Sequence, residues 1–271
     1  SRKSAEIVDE VRVLADSGVK EVSLIGQNVN SYGAGAGGDL SFPGLLKSVA
    51  GVEGIQRVRF ITSHPKDIST ELIRLFGSER KLCRHIHLPV QSGSDKILKE
   101  MRRGYTVKEY LSKVSMLKSL YDDISITSDI IVGFPGETDE DFEGTMELIN
   151  AARFDNIFSF MYSPRPGTLA AGFGLQVEQA VSAWRLKVLQ ERQKEITAER
   201  SMELVGSVKE VLVEGLSKAD PGELTGRTGC NRIVNFPAAT GLAGTVVDVL
   251  ITQAYPNSLR GERRERSVPC Y

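Results

Sequence analysis

Small, hydroxyl and amide side chains follow each of five predicted strands, at the point where the strand ends. These residues are Gly26, Gln27, Asn28, Thr62, Ser63, Gln91, Ser92, Gly133, Tyr162 and Ser163. Because loops that leave the carboxyl ends of parallel strands converge at one edge of a sheet, we expect them to surround a common site. Taken singly, each is also typical of an ordinary turn or helix cap. Together they predict a polar, glycine-lined mouth that suits a ligand with hydroxyls, an amino acid group and a heteroaromatic base.

Ordinary acid–base or phosphate chemistry is not indicated at these strand ends. We find no convergent acid–base pair there, and the segment 133–138 (GFPGET) lacks the lysine and the spacing of a P-loop. Its glycines predict a close approach of the backbone to a ligand, and Thr138 is expected to cap the next helix. Glu137 is either a ligand contact or a favourable carboxylate in the first turn of that helix, and we favour the second role.

Two histidines and one aspartate are further candidates inside the predicted sheet. His85 and His87 are two positions apart on a strand and so share a face. No third ligand is evident nearby, so we predict no metal site and expect one histidine to line the barrel interior in a hydrogen bond. Asp129 interrupts an apolar strand, where an unpaired carboxylate would be costly. It is either a site carboxylate, which we favour, or the partner of a donor such as Arg59.

The elements that would position these residues alternate between two periodicities up to about residue 165. Strands are predicted at 19–25, 58–61, 85–90, 124–132 and 156–162. Helices are predicted at 40–49, 67–76, 106–120 and 138–152, after a first helix that ends at Gly18. Two of them begin with capping boxes, Thr106 with Glu109 and Thr138 with Asp141. This alternation is typical of βαβ units in a parallel sheet, although a closed barrel would need one more strand.

The rest of the chain changes character twice. A long charged helix is predicted from 175 to 204, and short valine-rich runs separated by Gly, Pro and Asn turns follow it. Such runs are typical of a small all-β barrel or sandwich. We therefore predict an α/β domain at 1–174, a linking helix at 175–205 and a β-domain at 206–271.

Composition excludes several classes of protein. Lys and Arg number 34 against 35 for Asp and Glu, so the net charge of -1 excludes a histone-like polycation but allows a local basic face. No apolar stretch approaches the ~20 residues of a membrane span. The three cysteines, Cys83, Cys230 and Cys270, are far apart. Their odd count and spacing predict neither a disulfide framework nor a cysteine metal knuckle, and they favour a reducing compartment.

Long strings within the chain resemble one known family. They are 24–32 (LIGQNVNSY), 87–94 (HLPVQSGS), 128–138 (SDIIVGFPGET), 162–168 (YSPRPGT) and 255–261 (YPNSLRG). In order and in register they resemble the methylthiotransferase family of radical S-adenosylmethionine (SAM) enzymes, most closely its tRNA-modifying branch. The resemblance implies an incomplete (β/α)6 radical SAM barrel followed by an all-β TRAM domain that holds tRNA. It also implies that the missing first strand and a CxxxCxxC loop would precede Ser1.

The resemblance implies SAM and [4Fe–4S] clusters as cofactors, with the ligand cysteines outside this chain. Several positions match SAM contacts of the family. Gly26, Gln27 and Asn28 match the contact to the methionine amino end, and Gln91 and Ser92 match the contact to the ribose. Ile131 and Gly133 match the strand that packs on the adenine, Tyr162 and Ser163 offer nearby backbone groups, and Ser63 is a further cofactor-binding candidate. The positions expected to contact tRNA are Arg165, Arg227, Asn231 and Arg232. Strand-end packing, or a hairpin turn with solvated arginines, is the alternative for each.

The implied reaction is methylthiolation of an isopentenylated adenosine next to the tRNA anticodon, in which the radical chemistry belongs to the cofactor. We expect the parent protein to be this enzyme and the chain alone to be inactive. A tRNA-binding fragment without catalysis and a methylthiotransferase of a ribosomal protein are the alternatives. We further expect a cytoplasmic monomer that binds tRNA and no membrane, and the sulfur donor is left open.

Overall fold

The structure is a computed structural model that describes residues 1–35, 39–61, 63–218, 220–239 and 241–264. Thr62 and Cys270, both singled out from the sequence, lie outside these described residues. Within the described ranges an α/β unit comes first, a long helix follows it, and a small closed β-barrel ends the chain.

Five parallel strands form the sheet of the α/β unit. They are β1 (Glu21–Ile25), β2 (Arg57–Ile61), β3 (His85–His87), β4 (Ser125–Val132) and β5 (Asn156–Met161). β1 pairs with β2, and β4 lies between β3 and β5. An isolated bridge from Val58 to Leu82 links β2 to the segment that leads into β3. All five predicted strands are confirmed, but β3 ends before the predicted 85–90 because Pro89 has no N–H to donate to the ladder.

Seven α-helices accompany the strands. They are α1 (Ser4–Asp16), α2 (Phe42–Ala50), α3 (Thr70–Ser78), α4 (Asp95–Glu100), α5 (Val107–Lys118), α6 (Asp139–Ala152) and α7 (Gln179–Met202) in the described chain. Both predicted capping boxes are confirmed, at Thr106 and at Thr138. The pattern does not predict α4, because its 6 residues are too few to show a helical period.

The core lies between the sheet and its helices. In β2, Phe60 is buried, and its ring contacts Phe42 of α2 and Phe76 of α3 at centroid distances of 5.1 and 5.8 Å. Because side chains alternate along a strand, Arg57, Arg59 and Ile61 share the opposite, concave face. The apolar face of β2 thus packs the sheet against α2 and α3, and polar side chains lie on the concave face.

The second unit is a closed barrel of five strands. They are β6 (Val208–Leu216), β7 (Glu223–Thr228), β8 (Ile233–Pro237), β9 (Val246–Ala254) and β10 (Leu259–Arg264), in the order β10-β8-β7-β6-β9. Val211, Phe236 and Ile251 are fully buried in its own apolar core. Closure leaves this small sheet without an edge that could pair with another chain.

The β-barrel docks on the amino-terminal ends of the parallel strands, which we call the floor. The Arg57 guanidinium donates to the carbonyls of Arg227 (2.7 Å) and Glu210 (2.8 Å). The Arg59 guanidinium donates to the Thr228 carbonyl at 2.8 Å. Beside them, α7 runs for 24 residues, or roughly 36 Å, along the α/β unit. None of the helices in the described ranges has both the length and the apolar character needed to cross a lipid bilayer.

Candidate cofactor-binding mouth

The carboxyl ends of the five strands are joined by one continuous set of contacts, and we call this region the mouth. Asn28, after β1, donates to Asp67 at 2.6 Å, and Asn30 donates to the carbonyl of His64 at 3.0 Å. The His64 ring packs edge-on against Tyr105 with centroids 5.8 Å apart, and the Tyr105 hydroxyl donates to the Val90 carbonyl at 2.9 Å. These contacts connect the loops that follow β1, β2 and β3.

The remaining loops connect through β4. The Gln91 amide donates to the Asp129 carbonyl at 2.8 Å, and the Ile131 amide donates to the Gln91 carbonyl at 2.9 Å. The Tyr162 amide donates to the Val132 carbonyl at 2.8 Å. The structure therefore gathers the strand-end residues at one edge of the sheet, as their positions in the sequence predict. Whether each of them contacts a cofactor stays a prediction.

Three buried polar atoms at the mouth have no hydrogen-bond partner among the described residues. They are Oδ1 of Asn28, Oγ of Ser63 and Oη of Tyr162. An unsatisfied buried polar group costs about 1–3 kcal/mol, and native proteins seldom keep one without a reason. All three belong to residues that the sequence assigns to cofactor binding. A ligand with hydroxyl and amino groups would satisfy them.

The backbone at Gln91 is strained. Its φ is +79°, in the left-handed region that non-glycine residues seldom adopt. Such strain concentrates at functional sites. Its neighbour Ser92 is fully buried, and the Ser92 hydroxyl accepts a hydrogen bond from the Ser94 amide at 3.2 Å. Ser92 therefore also shapes its own turn, whereas the half-buried side chain of Gln91 makes no hydrogen bond within the described part of the chain.

Gly133 is needed for packing against a helix. Its φ is +71°, and a Cβ added there would lie 2.1 Å from Oγ of Ser182 in α7. The sequence predicts a close approach of this glycine to a ligand, whereas the close approach in the structure is to α7. The Gly133 amide in turn donates to the Glu137 carboxylate at 2.8 Å.

Glu137 does not lie in the first turn of α6, as the sequence favoured, and its contact with a ligand stays a prediction. It precedes the N-cap residue Thr138, and its Oε1 accepts from the Arg185 guanidinium of α7 at 2.7 Å, with both side chains buried. Burial raises the pKa of Glu137, and the Gly133 amide and the Arg185 charge partly oppose this rise. The predicted first-turn carboxylate is therefore wrong, and Glu137 instead holds the loop onto α7. No sequence signal marked Arg185, which looked like one charge among many on the long helix.

His87 and Asp129 pair on the concave face. His87 Nε2 lies 3.3 Å from Asp129 Oδ1, and His87 Nδ1 lies 3.0 Å from Thr127 Oγ1. The expectation of a hydrogen-bonded histidine inside the barrel is confirmed. The alternative partner for Asp129 is wrong, because Arg59 instead pairs with Glu21 at 2.6 Å. At the floor end of β3, burial lowers the pKa of His85 to about 3, so its imidazole is neutral.

The residues predicted to contact tRNA divide between the two ends of the sheet. Arg165 is exposed in the loop after β5, at the mouth. Arg232, at the floor, pairs with Asp155 at 2.6 Å and donates to the Ser201 hydroxyl at 3.1 Å. Arg227 donates to Glu214 at 2.9 Å and to Asn231 at 3.3 Å. Their contact with tRNA stays a prediction, but most of the donors at the floor already bind protein groups.

Two of the three cysteines lie in the described part of the chain. Cys83 and Cys230 are both buried. Burial raises the pKa of the Cys83 thiol to about 11 and also raises the pKa of Cys230. Neither belongs to a group of three or more His, Cys, Asp or Glu side chains that could hold a metal ion within the described ranges.

Comparison with known proteins defines the class first. Residues 1–149 match the family described as the Radical SAM superfamily, and residues 203–263 match the TRAM domain. The chain therefore belongs to the radical SAM superfamily. A solved coproporphyrinogen III oxidase from Escherichia coli, described as a radical SAM enzyme, has the same fold. The alignment has a TM-score of 0.51 at 15% identity and covers 73% of this chain and 46% of that one. The predicted fold class is confirmed.

Curated relatives narrow the class to one branch. The chain is 52% identical to a tRNA-2-methylthio-N(6)-dimethylallyladenosine synthase of Syntrophus aciditrophicus and 53% identical to one of Geobacter metallireducens. Each alignment covers 97% of the chain. The resemblance to the tRNA-modifying methylthiotransferases is confirmed. The chain spans 57% and 59% of the lengths of these two relatives. The limits of the three predicted segments, at 174 and 205, stay predictions.

Proposed function

We propose that this chain supplies the cofactor-binding barrel and the RNA-binding domain of an enzyme that adds a methylthio group to N(6)-dimethylallyladenosine in tRNA. The proposal is carried by sequence identity: 52% and 53% of the aligned residues are identical to those of synthases of that name. The alignments include both the radical SAM barrel and the TRAM domain. The unpartnered atoms at the mouth support it, because they leave room for a polar nucleoside ligand.

SAM fits the groups that the mouth offers. Asn28 Oδ1 can accept from an ammonium group, and the hydroxyls of Ser63 and Tyr162 can donate or accept. In our proposal, Gly26, Gln27 and Asn28 bind the methionine end. Gln91 and Ser92 bind the ribose, Ile131 and Gly133 pack on the adenine, and Tyr162 and Ser163 complete the wall. When bound beside a [4Fe–4S] cluster, SAM supplies a carbon radical that no side chain can provide.

The residues of this chain would act by binding and positioning. Glu137 and Arg185 hold the Gly133 loop against α7, so the wall of the mouth is fixed before a ligand arrives. Such preorganisation lowers the free-energy cost of orienting the reactants. Arg227, Asn231 and Arg232 would then orient tRNA on the TRAM domain, and Arg165 would contact it at the mouth.

Deletion of the gene tests the reaction. Mass spectrometry of digested tRNA should show the methylthiolated nucleoside disappear while N(6)-dimethylallyladenosine accumulates. Unchanged tRNA would contradict the proposal. A change in a methylthiolated ribosomal protein instead would favour the other branch of the family.

A separate proposal concerns the chain by itself, which we expect to bind RNA without radical chemistry. The support is its thiols, since the two described cysteines are buried and all three are far apart in sequence. Anaerobic incubation with iron and sulfide should give no [4Fe–4S] absorption. Appearance of that absorption would contradict this proposal without affecting the first.

We also propose that the chain is a monomer and that it acts in the cytoplasm, where tRNA is its partner. The closed second barrel offers no free strand edge for pairing between copies. Because the mass of the chain is 29.7 kDa, we expect a single species of about 30 kDa in light scattering. A dimer would contradict the proposal that the chain is a monomer.

A further inference from the structure

Three basic residues lie on two adjoining segments beside the mouth, one in the loop after β2 and two between α4 and α5. They are Lys66, Arg102 and Arg103, and we call them the basic rim. Lys66 and Arg102 are exposed, and Arg103 is half-buried. The net charge of the whole chain is only -1, so this grouping is local.

Contacts between the two loops hold the basic rim in place. The Lys66 side chain lies against Gly104, with its Cδ 3.6 Å from the point that a Cβ would occupy. The Arg103 guanidinium donates to the Pro89 carbonyl and to the Tyr105 hydroxyl, both at 3.2 Å. Tyr105 in turn packs against His64, two residues before Lys66. The rim is therefore a defined feature of the strand ends.

These cations are not neutralised by carboxylates. Among the residues that the structure describes, none of the three makes an ion pair, and the side chains of Lys66 and Arg102 make no hydrogen bond. The charges act on their surroundings, because Arg103, Lys66 and Lys113 add to burial in lowering the pKa of His64. Asp67, next to Lys66, opposes this lowering with its own negative charge, but its carboxylate accepts from Asn28 and makes no ion pair with the rim. Cations without an ion pair on two adjoining segments are suited to an extended polyanion.

The location of the TRAM domain favours RNA contacts near the mouth in addition to the one proposed for Arg165. Its hairpin docks at the floor, and β4 alone, with 8 residues, separates floor from mouth by roughly 26 Å. An RNA held only by the TRAM domain would not have its target base fixed at the opposite end of the strands. A basic surface next to the mouth would fix it there.

We propose that the basic rim binds backbone phosphates of the RNA whose base enters the mouth. This inference rests on the proposed function, and it adds a second RNA contact on the radical SAM domain to that of Arg165 and to those on the TRAM domain. Phosphate contacts of this kind fix register and orientation and carry no sequence information. The binding would be strongly dependent on salt because counterions are released.

The test measures binding of the 271-residue chain to a fluorescein-labelled RNA hairpin with an anticodon loop, by anisotropy over a range of potassium chloride concentrations. The test variant is Lys66→Ala with Arg102→Ala. Arg103 is kept because it supports the loop. The matched control is Arg74→Ala with Lys187→Ala, which removes the same charge from exposed positions on α3 and α7. Thermal melting by circular dichroism checks that both variants are folded.

We expect the rim variant to bind RNA about tenfold more weakly at low salt. The slope of the logarithm of the binding constant against the logarithm of salt concentration should be less steep by about 1.4, because two phosphate contacts are lost. The control should keep the wild-type slope. Equal slopes in the two variants would overturn the inference and leave the proposed function intact. Absence of any RNA binding by the wild-type chain would contradict both. A weaker affinity with an unchanged slope would show that the rim acts without phosphate contact, and would also overturn the inference.

Discussion

The floor and the mouth of the parallel sheet both contain buried polar side chains, but these side chains differ in their hydrogen bonding. At the floor, the guanidinium groups of Arg57, Arg59 and Arg232 all donate to carbonyls or carboxylates. At the mouth, the hydroxyls of Ser63 and Tyr162 are buried without a partner. Both ends are polar, but the floor atoms without a hydrogen bond, Glu21 Oε2 and Arg200 Nε, each face an ion-pair partner, at 3.8 and 3.5 Å.

This difference separates structure from function. Polar groups whose hydrogen bonds all close within the protein hold two domains together, and their removal should cost stability. A buried polar group that has neither a hydrogen bond nor an ion-pair partner is a candidate for completion by a ligand. Burial alone would not distinguish the two ends, because Arg59 and Ser63 are equally enclosed, with 7% and 5% of their surfaces exposed.

The largest effect should come from breaking the floor at Asp155. Its carboxylate accepts from Arg232 at 2.6 Å and from the Ile126 amide at 2.9 Å. Asp155→Ala leaves a buried guanidinium unpaired, which should lower the free energy of unfolding by about 3–5 kcal/mol in urea. Asp155→Asn, which can keep one acceptor, should lose less. A loss below about 1 kcal/mol for the alanine variant would show that the floor does not hold the domains together.

Gly133→Ala should have the next largest effect, at the wall of the mouth. The new methyl group would lie 2.1 Å from Ser182 Oγ at a φ of +71°, so overpacking and backbone strain add to about 2–4 kcal/mol. The matched control is Gly167→Ala, with φ +82° and nothing within 4 Å, which should lose only the strain. Urea unfolding of both variants separates the two contributions. Similar losses would contradict the packing role of Gly133.

A smaller effect at the floor should depend on pH. The pKa of His85 is lowered from 6.5 to about 3 in the folded protein. At a pH between these two values, His85 is protonated in the unfolded chain but neutral in the folded one. Stability due to neutral His85 is therefore present above pH 6.5 and is lost as the pH falls. Down to pH 5 the loss should be about 1–2 kcal/mol. His85→Gln should reduce this slope in urea unfolding curves measured at each pH, and an unchanged slope would assign it to other groups.

The smallest and most diagnostic effect should come from two serines. Ser63→Ala removes a buried hydroxyl without a partner and should leave stability unchanged or raise it by about 1 kcal/mol. Ser128→Ala removes a hydroxyl that donates to Leu88 at 2.9 Å and accepts from Val90 at 3.0 Å, so it should lose about 1–2 kcal/mol. Urea denaturation compares them directly. Equal losses would mean that Ser63 is satisfied within the protein.

Local patterns in the sequence predicted much of the fold and of the mouth. Strand periodicity located all five parallel strands, and capping boxes marked the starts of α5 and α6. The mouth could be predicted because polar residues after parallel strands must converge at one edge. The resemblance added the cofactor, which no spacing within this chain could identify.

The floor and the support of the Gly133 loop could not be predicted in this way. Arg59 and Thr228 are 169 positions apart, and Glu137 and Arg185 are 48 apart, so no periodic pattern relates them. The alternation in β2 predicted that Arg57 and Arg59 share one face of the strand, but it could not predict which groups they contact. Glu137 and Asp129 were therefore given wrong or incomplete partners. Of the arginines predicted for RNA, Arg232 instead pairs with Asp155 between the domains, and Arg227 pairs with Glu214 within the β-barrel.

The sequence by itself thus determined the order of the elements, the side of each strand that faces the helices, and the collection of polar residues at the carboxyl ends. These follow from interactions over a few residues and from the geometry of parallel strands. Only the tertiary structure decided which polar groups are satisfied, because a hydrogen bond between distant segments exists only once the domains have packed. That distinction separates the residues that hold this protein together from those left open to a ligand.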